Sequence, residues 1–329
     1  MSDSVLYIGI FIVYFSALIG ISFLVNKKTS ASGYLTGNYD SIWWLITLGL
    51  VGDSLSGVTY LSVPAATIKT SAYYFQVVLG FFVGYWIIAF VFLPRFYRQN
   101  FISIYGYLGE RLGKEAQRCG AIIFLISRSF GAATRLYLSI LALHRIVFHS
   151  WIPFEGAVII AIALIFLYTV RGGIKTLVWT DAFQSLFLIL GVLSVLYFLW
   201  DSSLLSAGEI WSNVRILDTD IFSKSFWGKQ FFGGIAIALT MTGLDQNLMQ
   251  KNLSCRTLAE AKLNLLHFSW LMLFVTAIIL IQGIYLADFL LLHPIASSIK
   301  TDLILPTVVM GYCSLSIKIL FLLGLLAAS

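Results

Sequence analysis

The chain has 329 residues, 59% of them hydrophobic and only 11% charged, with 21 Lys and Arg against 15 Asp and Glu. So few charges cannot coat the water-facing surface of a protein this size, which excludes a soluble two-domain molecule. The basic residues are scattered and form no patch of the kind nucleic acid needs, so no nucleic-acid partner is expected.

From the N-terminus onward, apolar runs recur at 5–26, 42–66, 73–94, 119–148, 152–170, 177–200, 230–249, 264–288 and 306–329. Most approach the roughly 20 residues that an α-helix needs to cross about 30 Å of hydrocarbon. They are apolar on nearly every face, as in 186–199, which suits helices and not the period-two strands of a barrel. The expected fold class is therefore an all-α membrane protein, a multi-pass bundle in contact with lipid. Met1 to Ser4 supply no basic segment, so the first run reads as a retained helix and not a cleaved signal peptide.

The second run is interrupted by Gly52, Asp53, Ser54, Ser56, Gly57 and Thr59. Such residues weaken a helix, and an unwound turn would point carbonyl oxygens inward, where they replace the water around a small hard cation. A charge at membrane depth costs about 3 kcal/mol or more, so Asp53 must be paired, hydrated or used. The plain alternative is a glycine-lined packing face with the serines bonded to their own backbone. After the third run, Tyr107, Leu108, Glu110, Arg111, Leu112 and Lys114 predict a small amphipathic helix on the inner surface.

Arg135 falls near the middle of the fourth run, with Arg128 two turns earlier on nearly the same face. A guanidinium grips a carboxylate in bidentate fashion, so Arg135 reads either as the anchor of an anionic solute or as the partner of Asp53. Asp181 follows the start of the sixth run; it binds or relays a cation, or stabilises the helix start. The seventh run is again interrupted, by Thr240, Thr242, Gly243, Asp245 and Gln246. Here a gating ion pair on the inner side and a solute contact are equally supported. The two broken runs are five helices apart, the spacing of a five-plus-five inverted repeat. On that reading 1–26 is an extra helix, 42–200 the first repeat, core helices 1–5, and 230–329 an incomplete second repeat, core helices 6–8, all within one transport domain over 1–329.

Basic residues are retained on the cytoplasmic side. With the N-terminus outside, the inner loops hold Lys27, Lys28, Arg95, Arg98, Arg111, Lys114, Arg118, Arg171, Lys175, Lys251, Arg256 and Lys262, against Lys69, Arg215, Lys224, Lys229 and Lys300 opposite. The expected location is a bacterial-type inner (plasma) membrane. Cys119, Cys255 and Cys313 lack metal or disulfide spacing, and no hydrolase or phosphate-loop constellation is present, so an enzyme is not expected.

Three stretches resemble the sodium:solute symporter family: Gly172 to Gln184, with its double glycine, Thr180, Asp181 and Gln184; Gly52 to Pro64; and Asp245, Gln246, Gln250 and Lys251 with Ala259 to Lys262. The resemblance implies a five-plus-five core of the LeuT type and a symporter that imports a small organic solute, a carboxylate among the candidates, by alternating access with Na+. It implies a sodium site at the backbone carbonyls of Gly52 and Leu55, joined by Ala327 or Ala328 on core helix 8. That helix is expected to begin near Leu305, and the chain to end within it, before the family's hydroxyl pair. Asp181 matches an aspartate serving a second sodium site or ion exit in some members. Asp53, Ser54, Ser56, Gln76 and Arg135 are the expected solute contacts, and Asp245 with Gln246 the gate. Ala238 and Met241 stand where sugar carriers place an amide and an aromatic, which counts against a hexose. The alternative reading is the input domain of a membrane receptor kinase, and a third is a shortened, inactive relative.

Overall fold

The structure is a computed structural model and describes residues 3–25, 37–99, 101, 103–145, 152–170, 173–203, 207–212, 214–294 and 299–328. Lys27, Lys28, His149, Trp151, Arg171, Gly172 and Ser329 lie outside the described residues. In chain order the helices are α1 (Asp3–Val25), α2 (Trp43–Ser54), α3 (Gly57–Thr70), α4 (Tyr74–Ile87), α5 (Leu93–Arg98), α6 (Ile104–Leu112), α7 (Lys114–Leu143) and α8 (Phe154–Thr169). They continue as α9 (Gly173–Asp201), α10 (Ala207–Ser212), α11 (Trp227–Ala238), α12 (Gln246–Leu253), α13 (Leu258–Leu292), α14 (Ile304–Tyr312) and α15 (Leu315–Ala327). π-helical turns at Ile88–Phe92 and Leu239–Gly243 extend α4 and α11.

Five of these spans are long and apolar enough to cross a membrane, and the bent pair α2 and α3 makes a sixth. The fifth run forms the shorter α8. The seventh stops being α-helical at the π turn, and Asp245, in extended conformation, restarts the chain by accepting a hydrogen bond from the Leu248 N–H. The ninth run departs from the expected single helix: Cys313 and Ser314 are extended, so it divides into α14 and α15. The helix carrying Ala327 therefore begins at Leu315 and not near Leu305. The expected amphipathic helix is present as α6, capped by Ser103, whose hydroxyl accepts from the Gly106 N–H.

The long α9 is the spine, with α1, α2, α13 and α15 packed around it. It opens at Gly173, whose φ of +57° is a left-handed conformation that glycine adopts without penalty. Beside it α4 and α11 cross in backbone contact: a Cβ on Gly80 would stand 2.1 Å from the Phe231 carbonyl oxygen, and one on Gly234 2.2 Å from that of Val77. Lipid contributes nothing to drive helices together, so such close approach supplies the dispersion and packing that hold them.

Polar ties gather at the two ends. At the basic end Arg256 Nε donates to Asp40 at 2.7 Å, and Tyr97 donates to the carbonyls of Asn252 and Cys255. At the other end Ser62 donates to Asp302 at 2.6 Å, Ser203 to Asp288 at 2.9 Å, and the Arg215 N–H to Ser71. Exposed Trp44 and Trp179 lie toward the first end and Trp200 and Trp227 toward the second, as aromatic belts require.

Candidate ion and solute site

The break falls at Leu55 and Ser56, both extended, and α2 and α3 meet there at 62°. The break is held from across the bundle: the Gly57 N–H, which a continuous helix would give to the Asp53 carbonyl, goes instead to the Ala328 carbonyl oxygen at 2.8 Å. The carbonyls at the end of α2 are thereby released from helical pairing halfway along a span. Gly52 sets the second boundary, because a Cβ there would lie 2.5 Å from Ser185 Oγ. Without one, α2 lies directly on α9, and the Gly52 N–H donates to Ser185 at 2.9 Å while Ser185 donates to the Asp181 carbonyl.

That contact closes a cavity of about 200 Å³ lined by Gly52, Asp53 and Ser56 of the broken helix, Asp181 and Gln184 of α9, and Ala327 and Ala328 at the end of α15. Phe15, Ile165, Tyr168, Arg135 and Leu326 complete the wall. Leu55 contributes only its backbone to the break; its side chain is buried in the core. A smaller cavity of about 90 Å³ adjoins, with Asp53, Ser54, Arg128, Arg135, Thr242 and Asn247 on its polar side and Phe81, Tyr85, Ala238, Met241 and Met272 among its apolar wall. The Ser54 hydroxyl is buried without a hydrogen-bond partner among the described residues. Gln76 is placed elsewhere: it donates to the carbonyls of Tyr73 and Ser225 and accepts from the Asp218 N–H, anchoring the loop that precedes α11, and it lines neither cavity.

The charges pair in a pattern that the sequence did not reveal. Lys251, counted above among inner-loop charges, is buried in α12 and forms ion pairs with both Asp53 and Asp181. Asp53 is thus matched by Lys251 and not by Arg135. Arg135 has no carboxylate partner among the described residues, is half-buried, and borders both cavities. Asp181 lies two turns inside α9, since that helix begins at Gly173, so it cannot act on the helix start. Asp245 pairs with Arg128, and Gln246 accepts from the Ile104 N–H at 3.0 Å, tying the start of α12 to α6. A buried chain in which Thr47 donates to Asn264, and Asn264 to Asn252, fixes α12 against α2 and α13.

The sequence signal for Lys251 lay in its would-be partners, and the burial of its neighbours is the structural answer. Two carboxylates at membrane depth demand a cation, and Leu248, Met249, Asn252 and Leu253 around Lys251 are as buried as a core helix.

The sequence model of the sodium:solute symporter family matches residues 34–328. The chain belongs to the sodium:solute symporter family. Among curated relatives, the sodium-coupled monocarboxylate transporter 2 of Mus musculus is 29% identical over 274 residues, covering 80% of this chain and 43% of that protein. The sodium-dependent multivitamin transporter of Oryctolagus cuniculus is 31% identical over 229 residues, 67% of this chain and 35% of its own. The chain therefore spans less than half the length of these relatives. A solved Na+-coupled sialic acid symporter, in a substrate-bound outward-open state, superposes with a TM-score of 0.88 at 20% identity, covering 98% of this chain and 70% of that one. The family member described here shares that fold.

Proposed function

We propose that this protein is a sodium-coupled secondary active symporter that imports a small organic carboxylate by alternating access. One observation carries the reading: the broken α2–α3 span, Asp53, Asp181 and the carbonyl-bearing end of α15 meet around one cavity, with an unmatched guanidinium at its edge. The donor set suits Na+, a hard cation that takes oxygen ligands, because two carboxylates and the backbone carbonyls at the helix break and at the end of α15 converge there. Gly52, Leu55, Ala327 or Ala328, and Asp181 are the proposed sodium ligands. Arg135 is the proposed solute anchor, with Ser54, Ser56 and Asp53 around it, and the apolar wall of Phe81, Tyr85, Met241 and Met272 receives the solute's hydrocarbon part.

Asp245 and Gln246 are the proposed inner gate, since the Arg128 pair and the Ile104 bond hold α12 to α7 and α6. The named relatives carry monocarboxylates and vitamins, and Ala238 and Met241 offer a sugar no polar grip. We place the N-terminus outside a plasma (inner) membrane, supported by the gathering of Arg95, Arg98, Lys114, Arg118, Arg256 and Lys262 at one end of the bundle. The inverted-repeat division, 42–200 against 230–329, is proposed on the two broken spans. Uptake of a short monocarboxylate into proteoliposomes should collapse when choline replaces sodium; equal uptake in choline overturns the coupling.

A further inference from the structure

We infer that Lys251 is a tethered cation occupying the place between Asp53 and Asp181, and that the coupling ion binds there only as Lys251 lets go. The inference rests on the sodium-coupled reading above and adds to it the residue that sets how tightly sodium is held.

Three observations carry it. The Lys251 side chain is 3% exposed, and those of Asp53 and Asp181 are 19% and 13% exposed, so the ammonium sits deeper than either carboxylate. Both carboxylates line the larger cavity, whereas Lys251 does not. A lysine needed only to join two helices requires one carboxylate, but this one joins three elements: α12, the end of α2 at the break, and α9.

The chemistry of exchange follows. An ammonium is donor-only and is satisfied by the same acceptor oxygens that a hard metal cation takes as ligands. One ammonium between two carboxylates leaves the cluster net negative and attractive to a second cation. Because it is covalently tethered, Lys251 competes at an effective concentration on the order of millimolar or above, the range a free ion must exceed. Release of the ammonium also removes the ion pairs of α12 with α2 and α9, so that α12 keeps only the neutral Thr47–Asn264–Asn252 chain and Tyr97 bond beside the contacts of Asp245 and Gln246. Ion occupancy and the position of the inner gate then become one equilibrium.

The test uses the full 329-residue chain, purified in detergent, with no solute and with sodium titrated against choline. Sodium binding is measured by a radiotracer proximity assay and the thermal midpoint is followed in parallel. Lys251→Met should bind sodium about tenfold more tightly than the wild type, within the usual range of coupling between sites. Its midpoint in choline should fall below the wild-type value and climb more steeply with sodium, as the free ion takes over the carboxylates. Lys251→Arg, which keeps the charge, should retain wild-type affinity. Unchanged or weaker sodium affinity in Lys251→Met, with no steeper stabilisation, makes the lysine a structural bridge and overturns the inference while sodium coupling stands. Lys251→Met that stays unfolded in both ions overturns it as well. No sodium binding by the wild type removes the coupled reading and the inference together.

Discussion

At the scale of single residues, the two arginines of α7 separate binding from scaffolding. Arg128 neutralises Asp245, whose side chain is 3% exposed, whereas Arg135 forms no ion pair among the described residues. Arg128→Ala leaves a buried carboxylate uncompensated, which costs about 2 kcal/mol once the one-third exposure of the arginine is discounted. Arg135→Ala removes no partner, so its thermal midpoint should remain at the wild-type value while carboxylate binding is lost. Melting curves and solute binding on the two variants decide the matter: a destabilised Arg135→Ala that still binds solute would make this residue part of the scaffold. Sequence reading found Arg135 and Asp53 because an apolar run makes any charge conspicuous. It missed Lys251 because the polar neighbours Gln250 and Asn252 make 250–252 read as a loop, and only the demand of Asp53 and Asp181 for a cation pointed the other way.

At the scale of elements, the broken span depends on how closely α2 approaches α9. Gly49 and Gly52 face α9, where added Cβ atoms would meet Asp181 Cβ at 3.2 Å and Ser185 Oγ at 2.5 Å. Gly52→Val should therefore push α2 off α9 and draw Asp53 away from Asp181, at a stability cost of about 1–3 kcal/mol from overpacking. The expected readout is loss of sodium-induced thermal stabilisation in a chain that still folds; full retention of that shift would mean that Gly52 is replaceable and the carbonyl geometry tolerant. The breaks at residue 55 and residue 244 were legible because Gly, Ser, Thr and Asp cluster there within apolar sequence. The break at Cys313 and Ser314 has only a weaker signal of that kind, Gly311, Ser314 and Ser316 with no buried charge among them, and packing of α14 against α3 and of α15 against α9 accompanies it. The apolar length of a run gave the spans correctly where the helix is continuous, as in α1, α7, α9 and α13.

At the scale of the whole molecule, the distribution of charge governs orientation. Arg256 pairs with Asp40, and Lys114 and Arg118 open α7 at the same end, so the basic loops form one face that retention on the cytoplasmic side would fix inward. Moving Lys251 from loop to interior leaves this asymmetry in place, because the remaining inner-loop residues still outnumber those opposite. A native probe exists for the orientation: Cys119 is exposed near the start of α7, whereas Cys255 and Cys313 are buried. Burial also pushes the Cys255 thiol up to about 12, which keeps it protonated and unreactive toward maleimides at neutral pH. Cys119 is therefore the single site a membrane-impermeant maleimide should reach. Inside-out vesicles should be labelled, right-side-out vesicles should not, and Cys119→Ser should abolish the signal. Labelling confined to right-side-out vesicles would invert the bundle and place the gate formed by Asp245 and Gln246 on the outer side.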